Sequence, residues 1–196
     1  MLQSAWHARR AQLLILGVAS AVVLISSIIL FVHPGSSSGF FAKTIPGVAL
    51  VDDRGKPFSL AQTAGTPYAL FFGYTHCPDV CPTTLAKLAR AKASVSASAS
   101  RIVFVTVDPS RDTPPVLHRY VALFGRGIIG VTGQPASLKT LYNALGIWSV
   151  RIGNGPNYEM GHTSTVFFVD GFGRVRSLRD WADPQTAFVD AFKEIE

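Results

Sequence analysis

The two cysteines of this 196-residue chain, Cys77 and Cys81, lie four residues apart, between an apolar stretch and a predicted helix. A disulfide between them would close a very short loop, and the stabilisation gained by closing a loop falls as the loop shortens. Free backbone amides and the dipole at a helix N-terminus favour the thiolate, which is the form that reacts and binds metals. The pair is therefore predicted to be chemically reactive rather than structural.

The spacing of the pair distinguishes between two kinds of chemistry. Residues four apart on a helical turn face the same way, with Cβ atoms about 5 to 6 Å apart, so both sulfurs can reach one metal or each other. Dithiol oxidoreductases usually have two residues between their cysteines, whereas this loop has three. The additional residue relaxes the geometry for closing a disulfide, and metal binding tolerates it. Two thiolates leave a metal short of ligands, so a third ligand is expected elsewhere in the chain.

His162 is the leading candidate for that third ligand, because it directly precedes an apolar stretch that is predicted to be a strand ending beside the cysteine loop. His76, which adjoins Cys77, is an alternative, and weak contributions from Met160 and Asp79 stay open. Two thiolates with one imidazole suit copper, since thiolate selects Cu(I) and imidazole binds either oxidation state. Zinc would require a fourth ligand. The other histidines are weaker candidates. His7 and His33 lie in the N-terminal part of the chain, before and just after a long apolar run, and His118 lies in a predicted helix.

An uncharged run of twenty residues, Leu13 to Val32, is long enough as a helix to span roughly 30 Å of hydrocarbon. No convincing small-residue cleavage site follows it, which favours an uncleaved anchor over a secretory signal. Arg9 and Arg10 precede the run and no positive charge follows until Lys43, so the positive-inside rule predicts export of everything after it. The short N-terminus favours a bacterial inner membrane protein with a single span and a periplasmic C-terminal domain.

The chain is therefore predicted to consist of four segments. Residues 1–12 are predicted to be cytoplasmic, 13–32 to be the transmembrane anchor, 33–44 to be a flexible linker and 45–196 to be one exported domain. The exported part carries sixteen lysines and arginines against twelve acidic residues, scattered without long basic runs, which argues against nucleic-acid binding. In an oxidising compartment two lone cysteines form a disulfide unless they are reduced or hold a metal. The site therefore needs a redox partner.

Apolar runs separated by turn residues predict strands, and stretches with apolar residues at helical spacing predict helices. Strands are predicted at Val48 to Val51, Lys56 to Leu60, Tyr68 to Tyr74, Arg101 to Val107, Ile147 to Ile152, Thr165 to Val169 and Arg174 to Leu178. Helices are predicted from Pro82 towards Ser100, from Asp112 to Gly125, around Leu138 to Leu145 and from Asp183 onwards. This order predicts an α/β domain of the thioredoxin-like class, a mixed central sheet flanked by helices and opened by a hairpin.

Three segments in this order resemble the Sco (SenC) family: GYTHCPDVCP at Gly73 to Pro82, VDPSRDTP at Val107 to Pro114, and His162 before a strand that ends at Val169. The resemblance covers nearly the whole exported domain and includes the anchor. It implies a thioredoxin-like copper-binding protein that helps to assemble the binuclear copper-A centre of cytochrome c oxidase, as metallochaperone, thiol reductant or both. It also implies Cys77, Cys81 and His162 as copper ligands, and it suggests as partners the copper-A subunit, a periplasmic copper donor and a thiol reductant.

The chain departs from the family pattern beside the histidine, where Val-Asp-His-Ser is common and Met160-Gly161-His162-Thr163 stands here. An acidic group that orients the imidazole is therefore not expected at position 161. Asp108 and Arg111 are predicted to form a charge pair that shapes the loop beside the site. Two other functions stay open: a thiol:disulfide oxidoreductase that reduces the cysteines of a target copper site without carrying metal, and a peroxiredoxin-like peroxidase.

Overall fold

The computed structural model describes residues 45–63, 65–95 and 99–196. The strands are β1 (Leu50–Asp52), β2 (Pro57–Phe58), β3 (Tyr68–Gly73), β4 (Arg101–Thr106), β5 (Ile128–Thr132), β6 (Ser149–Ile152), β7 (Glu159–His162), β8 (Val166–Val169) and β9 (Val175–Arg179). The helices are α1 (Val80–Ser94), α2 (Pro114–Ala122), α3 (Pro135–Leu145) and α4 (Gln185–Ile195), with a 3-10 turn at Leu60–Thr63.

Seven strands form one mixed sheet in the order β2-β1-β5-β4-β3-β8-β9. The three middle strands β3, β4 and β5 are parallel, while β8 and β9 extend the sheet on one side in antiparallel fashion and the β1–β2 hairpin closes the other side. Helix α1 packs against α4, and α2 packs against β5. This arrangement confirms the predicted mixed sheet with flanking helices and an opening hairpin.

The register of β3 and β4 determines which loops lie together at one edge of the sheet. Gly73, the last residue of β3, lies opposite Thr106, the last residue of β4, so the loops that follow both strands leave the sheet at the same edge. Strand β8 is antiparallel to β3 and pairs Val166 with Phe71, so β8 begins near that edge. Carboxyl ends of parallel strands are where α/β sheets place their ligands. The cysteine loop, the 107–113 loop and the segment before β8 therefore converge.

Aromatic side chains form much of the core beneath this edge. Every residue of β3 is buried, and the ring of Phe71 lies 6.0 Å from that of Phe104 on β4. On β8, Phe168 contacts the α4 residues Phe188 and Phe192, with ring centroids 6.4 and 5.1 Å away. Burial of each such side chain contributes about 1.5 to 3 kcal/mol. The central strands are therefore a fixed base for the loops at their ends.

Two strands were not expected from the sequence. The segment of β5 is only five residues long, contains Gly130 and gives no alternating pattern, yet parallel pairing with β4 makes it a strand. Strand β7 contains methionine, glycine and histidine, which are not typical strand formers, and it exists because it pairs with β6. His162 therefore ends a strand of a separate two-stranded sheet, whereas the sequence placed it in the segment leading into β8.

Helix beginnings also differ from the expectations. Helix α1 starts at Val80 rather than Pro82, so Cys81 lies in its first turn, where the following proline is tolerated. Helix α2 starts at Pro114 with Thr113 in the N-cap position, two residues after the predicted beginning at Asp112. The carboxylate of Asp112 accepts hydrogen bonds from Thr75 and Thr106. The last helix begins at Gln185, after Pro184.

The predicted cytoplasmic segment, anchor and linker lie outside the described residues. Within residues 45–63, 65–95 and 99–196, none of the helices has the length and apolar character needed to cross a membrane.

Candidate metal centre

The two cysteines occupy different positions relative to the start of α1. Cys77 lies in the loop before the helix and is half-buried, whereas Cys81 lies in the first turn and is fully buried. The backbone N–H of Cys81 donates to Sγ of Cys77 at 3.4 Å. Both are free cysteines. The first turn of α1 therefore donates an amide hydrogen bond to the sulfur of Cys77, which is the outer, less buried sulfur of the pair. This arrangement favours a thiolate at Cys77.

His162 completes a group of three donor atoms. Its Nε2 lies 3.6 Å from Sγ of Cys81, and the donor atoms of Cys77, Cys81 and His162 all lie within 4.8 Å of one another. Nδ1 of His162 lies 2.9 Å from the carbonyl oxygen of Thr163. Because a carbonyl can only accept, Nδ1 carries the proton, and the lone pair of Nε2 points to the sulfurs. The backbone of Thr163 thus orients the imidazole, a role for which position 161 offers no carboxylate.

Two of the alternative ligands from the sequence, His76 and Asp79, lie outside this group. His76 is half-exposed, and its Nδ1 faces Oγ1 of Thr75 at 3.1 Å and Oδ1 of Asp112 at 4.0 Å. Asp79 stands in the N-cap position of α1 and accepts a hydrogen bond from Oγ1 of Thr83 at 3.3 Å. Met160 is half-buried and packs against the hydrophobic core. In the described part of the chain, Cys77, Cys81 and His162 are the cluster of metal-binding side chains that the fold assembles.

The two thiols ionise very differently. A hydrogen bond from the Cys81 side chain lowers the pKa of Cys77 to about 4, and hydrogen bonds from backbone amides lower it further, whereas partial burial raises it. The pKa of Cys81 is raised, because its proton is held by the Cys77 sulfur and its burial disfavours a second charge. At neutral pH the metal-free, reduced site therefore holds one thiolate and one thiol. A metal cation between the sulfurs would allow Cys81 to ionise and release its proton.

We expect this difference to appear in the pH dependence of alkylation. Cys77 should react with iodoacetamide at a nearly constant rate at neutral pH, and the rate should fall only as the pH drops through about 4, the pKa of the Cys77 thiol. An ordinary cysteine loses its thiolate below about pH 8.5. The rate constant from pH 3 to 9, measured by mass spectrometry on the reduced chain at roughly half-unit steps, tests this.

Cys77→Ser should abolish the fast reaction in the same experiment, because Cys81 has no exposed surface. A half-maximal rate near the ordinary cysteine value, or a fast reaction that persists in Cys77→Ser, would contradict the assignment of the thiolate to Cys77.

Gly73 leaves space for Sγ of Cys81, the inner, fully buried sulfur of the pair. A Cβ atom at this position would lie 2.8 Å from Sγ of Cys81 and 2.7 Å from Cε2 of Phe104. Both distances are shorter than any normal contact, and Phe104 is itself fully buried in the core. Glycine at the end of β3 therefore lets α1 approach the sheet closely enough to bring Cys81 into the site, a requirement that the sequence motif did not reveal.

Substituting Gly73→Ala should displace Cys81 and disturb the site. We expect a loss of about 1 to 3 kcal/mol in the free energy of unfolding from overpacking, together with weaker Cu(I) binding in competition with a chromogenic chelator. Gly47→Ala is the matched control, because a Cβ there would meet Ala61 at an ordinary 3.6 Å. If the two variants bind Cu(I) equally well, the close approach at Gly73 does not matter for the site.

Two carboxylates of the 107–113 loop are buried beside the site. Asp108 forms an ion pair with Arg111, which confirms the predicted charge pair. Asp112 accepts hydrogen bonds from N–H and Oγ1 of Thr75 at 3.1 and 2.6 Å, and from Oγ1 of Thr106 at 2.6 Å. Burial raises the pKa of Asp112 even though these hydrogen bonds lower it. Asp112 thus joins the cysteine loop to the end of β4.

Tyrosines next to the site were not singled out by the sequence. The ring of Tyr74 meets that of His162 edge-on, with centroids 5.8 Å apart. The hydroxyl of Tyr158, in the turn before β7, donates to Oδ1 of Asp108 at 2.6 Å. Tyr74 adjoins the cysteine motif and could have been suspected from that position. Tyr158 lies about eighty residues from the cysteines, and only tertiary contact connects it with them.

Comparisons with known proteins identify the family of this chain. A family model described as SCO1/SenC matches residues 40–195. A predicted copper-binding protein of Stutzerimonas stutzeri is 36% identical over 138 residues, which cover 68% of this chain and 68% of that protein. An SCO2-like protein of Rickettsia felis is 34% identical over 131 residues, which cover 64% of this chain and 63% of the relative's length.

Among solved structures, ScoI of Arabidopsis thaliana with copper bound superimposes with a TM-score of 0.74. It is 29% identical, and the match covers 79% of this chain and 98% of that one. The fold described above is therefore the thioredoxin-like fold of Sco proteins, and copper is the metal that this similar protein holds.

Proposed function

Because the chain belongs to the SCO1/SenC family, we propose that it is a copper metallochaperone that binds the ion through Cys77, Cys81 and His162 and passes it on during cytochrome c oxidase assembly. The observation that carries this proposal is the donor set itself. Two sulfurs and one imidazole nitrogen lie within 4.8 Å of one another. Nε2 presents a lone pair because Nδ1 carries the proton and donates a hydrogen bond to the carbonyl oxygen of Thr163.

The chemistry of these donors fits copper better than the other common metals. Thiolates are soft ligands that favour Cu(I), and the neutral imidazole also binds Cu(II). A structural zinc site would need four ligands, and the described residues supply three. Three ligands also leave an approach open for an incoming ligand of an acceptor protein. The half-buried sulfur of Cys77 is the accessible side of the site, while Cys81 is enclosed.

Protein contact with the hairpin that carries His162 is supported by an exposed apolar stripe on β6 and the residue before it. Trp148, just before β6, alternates along the chain with Val150 and Ile152 of β6, and the three side chains are 59, 41 and 53% exposed. Pairing of Val150 with Gly161 and of Ser149 with His162 places the stripe on the face opposite His162. Large exposed apolar side chains are typical of protein-binding surfaces. We propose the copper-A subunit of the oxidase as the partner, with a membrane anchor at Leu13 to Val32 holding the domain in the periplasm close to it.

Metal titration tests the ligand assignment. The full chain, purified in detergent and reduced, should bind one Cu(I), and Cys81→Ser should weaken binding by more than about 100-fold because a primary ligand is lost. His162→Ala should weaken it less, since both thiolates remain, and should remove the nitrogen hyperfine signal from the electron paramagnetic resonance spectrum of the Cu(II) form. His118→Ala is the control, because that histidine bonds to Asp53, away from the three ligands. Absence of stoichiometric binding, or binding unchanged in Cys81→Ser, would refute the proposal.

The ionisation of the two cysteines favours a second candidate function, reduction of a disulfide in the target copper site. The Cys77 thiolate would attack the target disulfide, forming a mixed disulfide and releasing one target thiolate. Cys81 would then lose its proton and attack the sulfur of Cys77, releasing the second target thiolate. The two electrons gained by the target come from the Cys77–Cys81 dithiol, which ends as a disulfide and must be reduced again by a thiol donor.

His162 separates these two functions, because only copper transfer needs the imidazole. If the chain delivers copper, His162→Ala and Cys77→Ser should both lower the copper-A content of the oxidase in cells that lack the native protein. If it acts only as a reductant, His162→Ala should restore copper-A content while Cys77→Ser should not. Immunoblotting for equal amounts of each variant is the control for protein abundance.

A further inference from the structure

The β6–β7 hairpin, which carries His162, contacts the rest of the domain through side chains, among them Met160 against the hydrophobic core and the Tyr74 ring against His162. It forms its own two-stranded sheet and shares no strand pairing with the seven-stranded sheet that carries the cysteines. At its start, the N–H of Ile147 donates to the carbonyl oxygen of Tyr142. Its other end, the turn before β7, needs a separate attachment, because two isolated strands are marginally stable.

Tyr158, Arg111 and Asp108 supply that attachment, and we refer to these three residues as the latch. The Tyr158 hydroxyl donates to Oδ1 of Asp108 at 2.6 Å. Arg111 stacks on the Tyr158 ring at 3.6 Å, and its Nη1 donates to the carbonyl oxygen of Tyr158 at 2.9 Å. The other face of the ring is covered by Arg151 at 3.8 Å. The ring is therefore enclosed between two guanidinium groups while its hydroxyl reaches a buried carboxylate.

The latch is anchored on the loop that also holds the cysteines in place. Asp108 and Arg111 form a buried ion pair, with 3 and 16% of their side chains exposed. One residue further on, Asp112 binds Thr75 of the cysteine loop through two hydrogen bonds. Residues 108–112 thus contact the cysteine loop on one side and the histidine hairpin on the other. This loop therefore links the segment that carries the cysteines with the hairpin that carries His162.

We propose that the latch is a positioning device that holds His162 over the cysteine pair, so that its strength tunes how readily the imidazole binds or leaves copper. The inference rests on the proposed copper-binding function. Tyr158 touches neither the sulfurs nor the metal position and acts through His162. A protein whose binding-competent arrangement is only partly populated binds more weakly in proportion to that population. Loosening the latch should therefore weaken copper binding only when His162 is present to be positioned.

A double-substitution cycle on the full chain in detergent tests this coupling. Tyr158→Ala removes the stacked ring and the hydroxyl, and Tyr158 is preferable to Arg111 as the target because removing Arg111 would leave Asp108 buried and unpaired. We expect Tyr158→Ala to weaken Cu(I) binding about 3- to 30-fold in the native background. In a His162→Ala background the same substitution should have no effect on affinity, because no imidazole remains to be positioned.

The metal-free protein gives an independent measurement. Amide hydrogen exchange in residues 149–162 should become about tenfold faster in Tyr158→Ala, and less so in Tyr158→Phe, which keeps the stacked ring. Adding copper should restore protection when His162 is present and not when it is replaced by alanine, since coupling between the two sites is reciprocal. Tyr142→Phe is the matched control: it also loses one hydroxyl hydrogen bond, to the carbonyl oxygen of Thr106, without touching the latch.

The outcomes separate the two proposals. A native chain that binds no copper would refute the proposed function, whatever the exchange rates show. If the native chain binds copper and Tyr158→Ala lowers the Cu(I) affinity equally in the native and His162→Ala backgrounds, the coupling alone is refuted. The tyrosine would then be a general structural residue. Unchanged affinity and unchanged exchange of the hairpin in Tyr158→Ala would also overturn the latch.

Discussion

Two negatively charged sulfurs cannot occupy neighbouring positions in a partly buried site without a cation between them. This constraint explains the unequal ionisation of Cys77 and Cys81, because the first thiolate holds the proton of the second. It also links metal binding to proton release, since Cys81 can ionise only when positive charge arrives. In the absence of metal, oxidation to a disulfide is the other way to remove both charges. The two proposed functions, copper delivery and thiol reduction, therefore depend on the same electrostatic arrangement.

The surrounding structure serves to maintain that arrangement. The outer sulfur receives an amide of the helix N-terminus, while the inner one lies against the end of β3, where only glycine leaves enough space. The imidazole is fixed as the tautomer that presents Nε2 by a backbone carbonyl rather than by a carboxylate. That choice avoids a further negative charge next to two sulfurs. Two buried carboxylates lie nearby. Asp108 forms an ion pair with a guanidinium, and Asp112 accepts hydrogen bonds from hydroxyl and amide groups.

The loop at residues 108–112 connects the two halves of the site. Asp112 is bound to the cysteine loop, and Asp108 with Arg111 is bound to the turn of the histidine hairpin. Buried ion pairs contribute little net stability but are expensive to break, so they fix a geometry better than they strengthen a fold. A metal site that must release its cargo requires ligands that are well placed and weakly held. The hairpin that carries His162 lies outside the main sheet, and the polar contacts of Asp108 and Arg111 add to the packing of Met160 against the core and of Tyr74 against His162.

From the sequence alone, the cysteine spacing, the order of strands and helices and the histidine before an apolar strand indicated the thioredoxin-like sheet and made Cys77, Cys81 and His162 the leading candidate ligands, because these signals are local in the chain. His76 stayed an alternative, and the complete set of copper ligands was implied by the resemblance to the Sco family rather than by the spacing. The sequence did not reveal β5 or β7, the carboxylate of Asp112 as a hydrogen-bond acceptor, the need for Gly73, or Tyr158. Each of these depends on an atom contributed by a distant segment, such as Sγ of Cys81 near Gly73 or Oδ1 of Asp108 at Tyr158. Tertiary structure alone decided them, because close packing and buried hydrogen bonds arise only when strands far apart in sequence end at the same edge of one sheet.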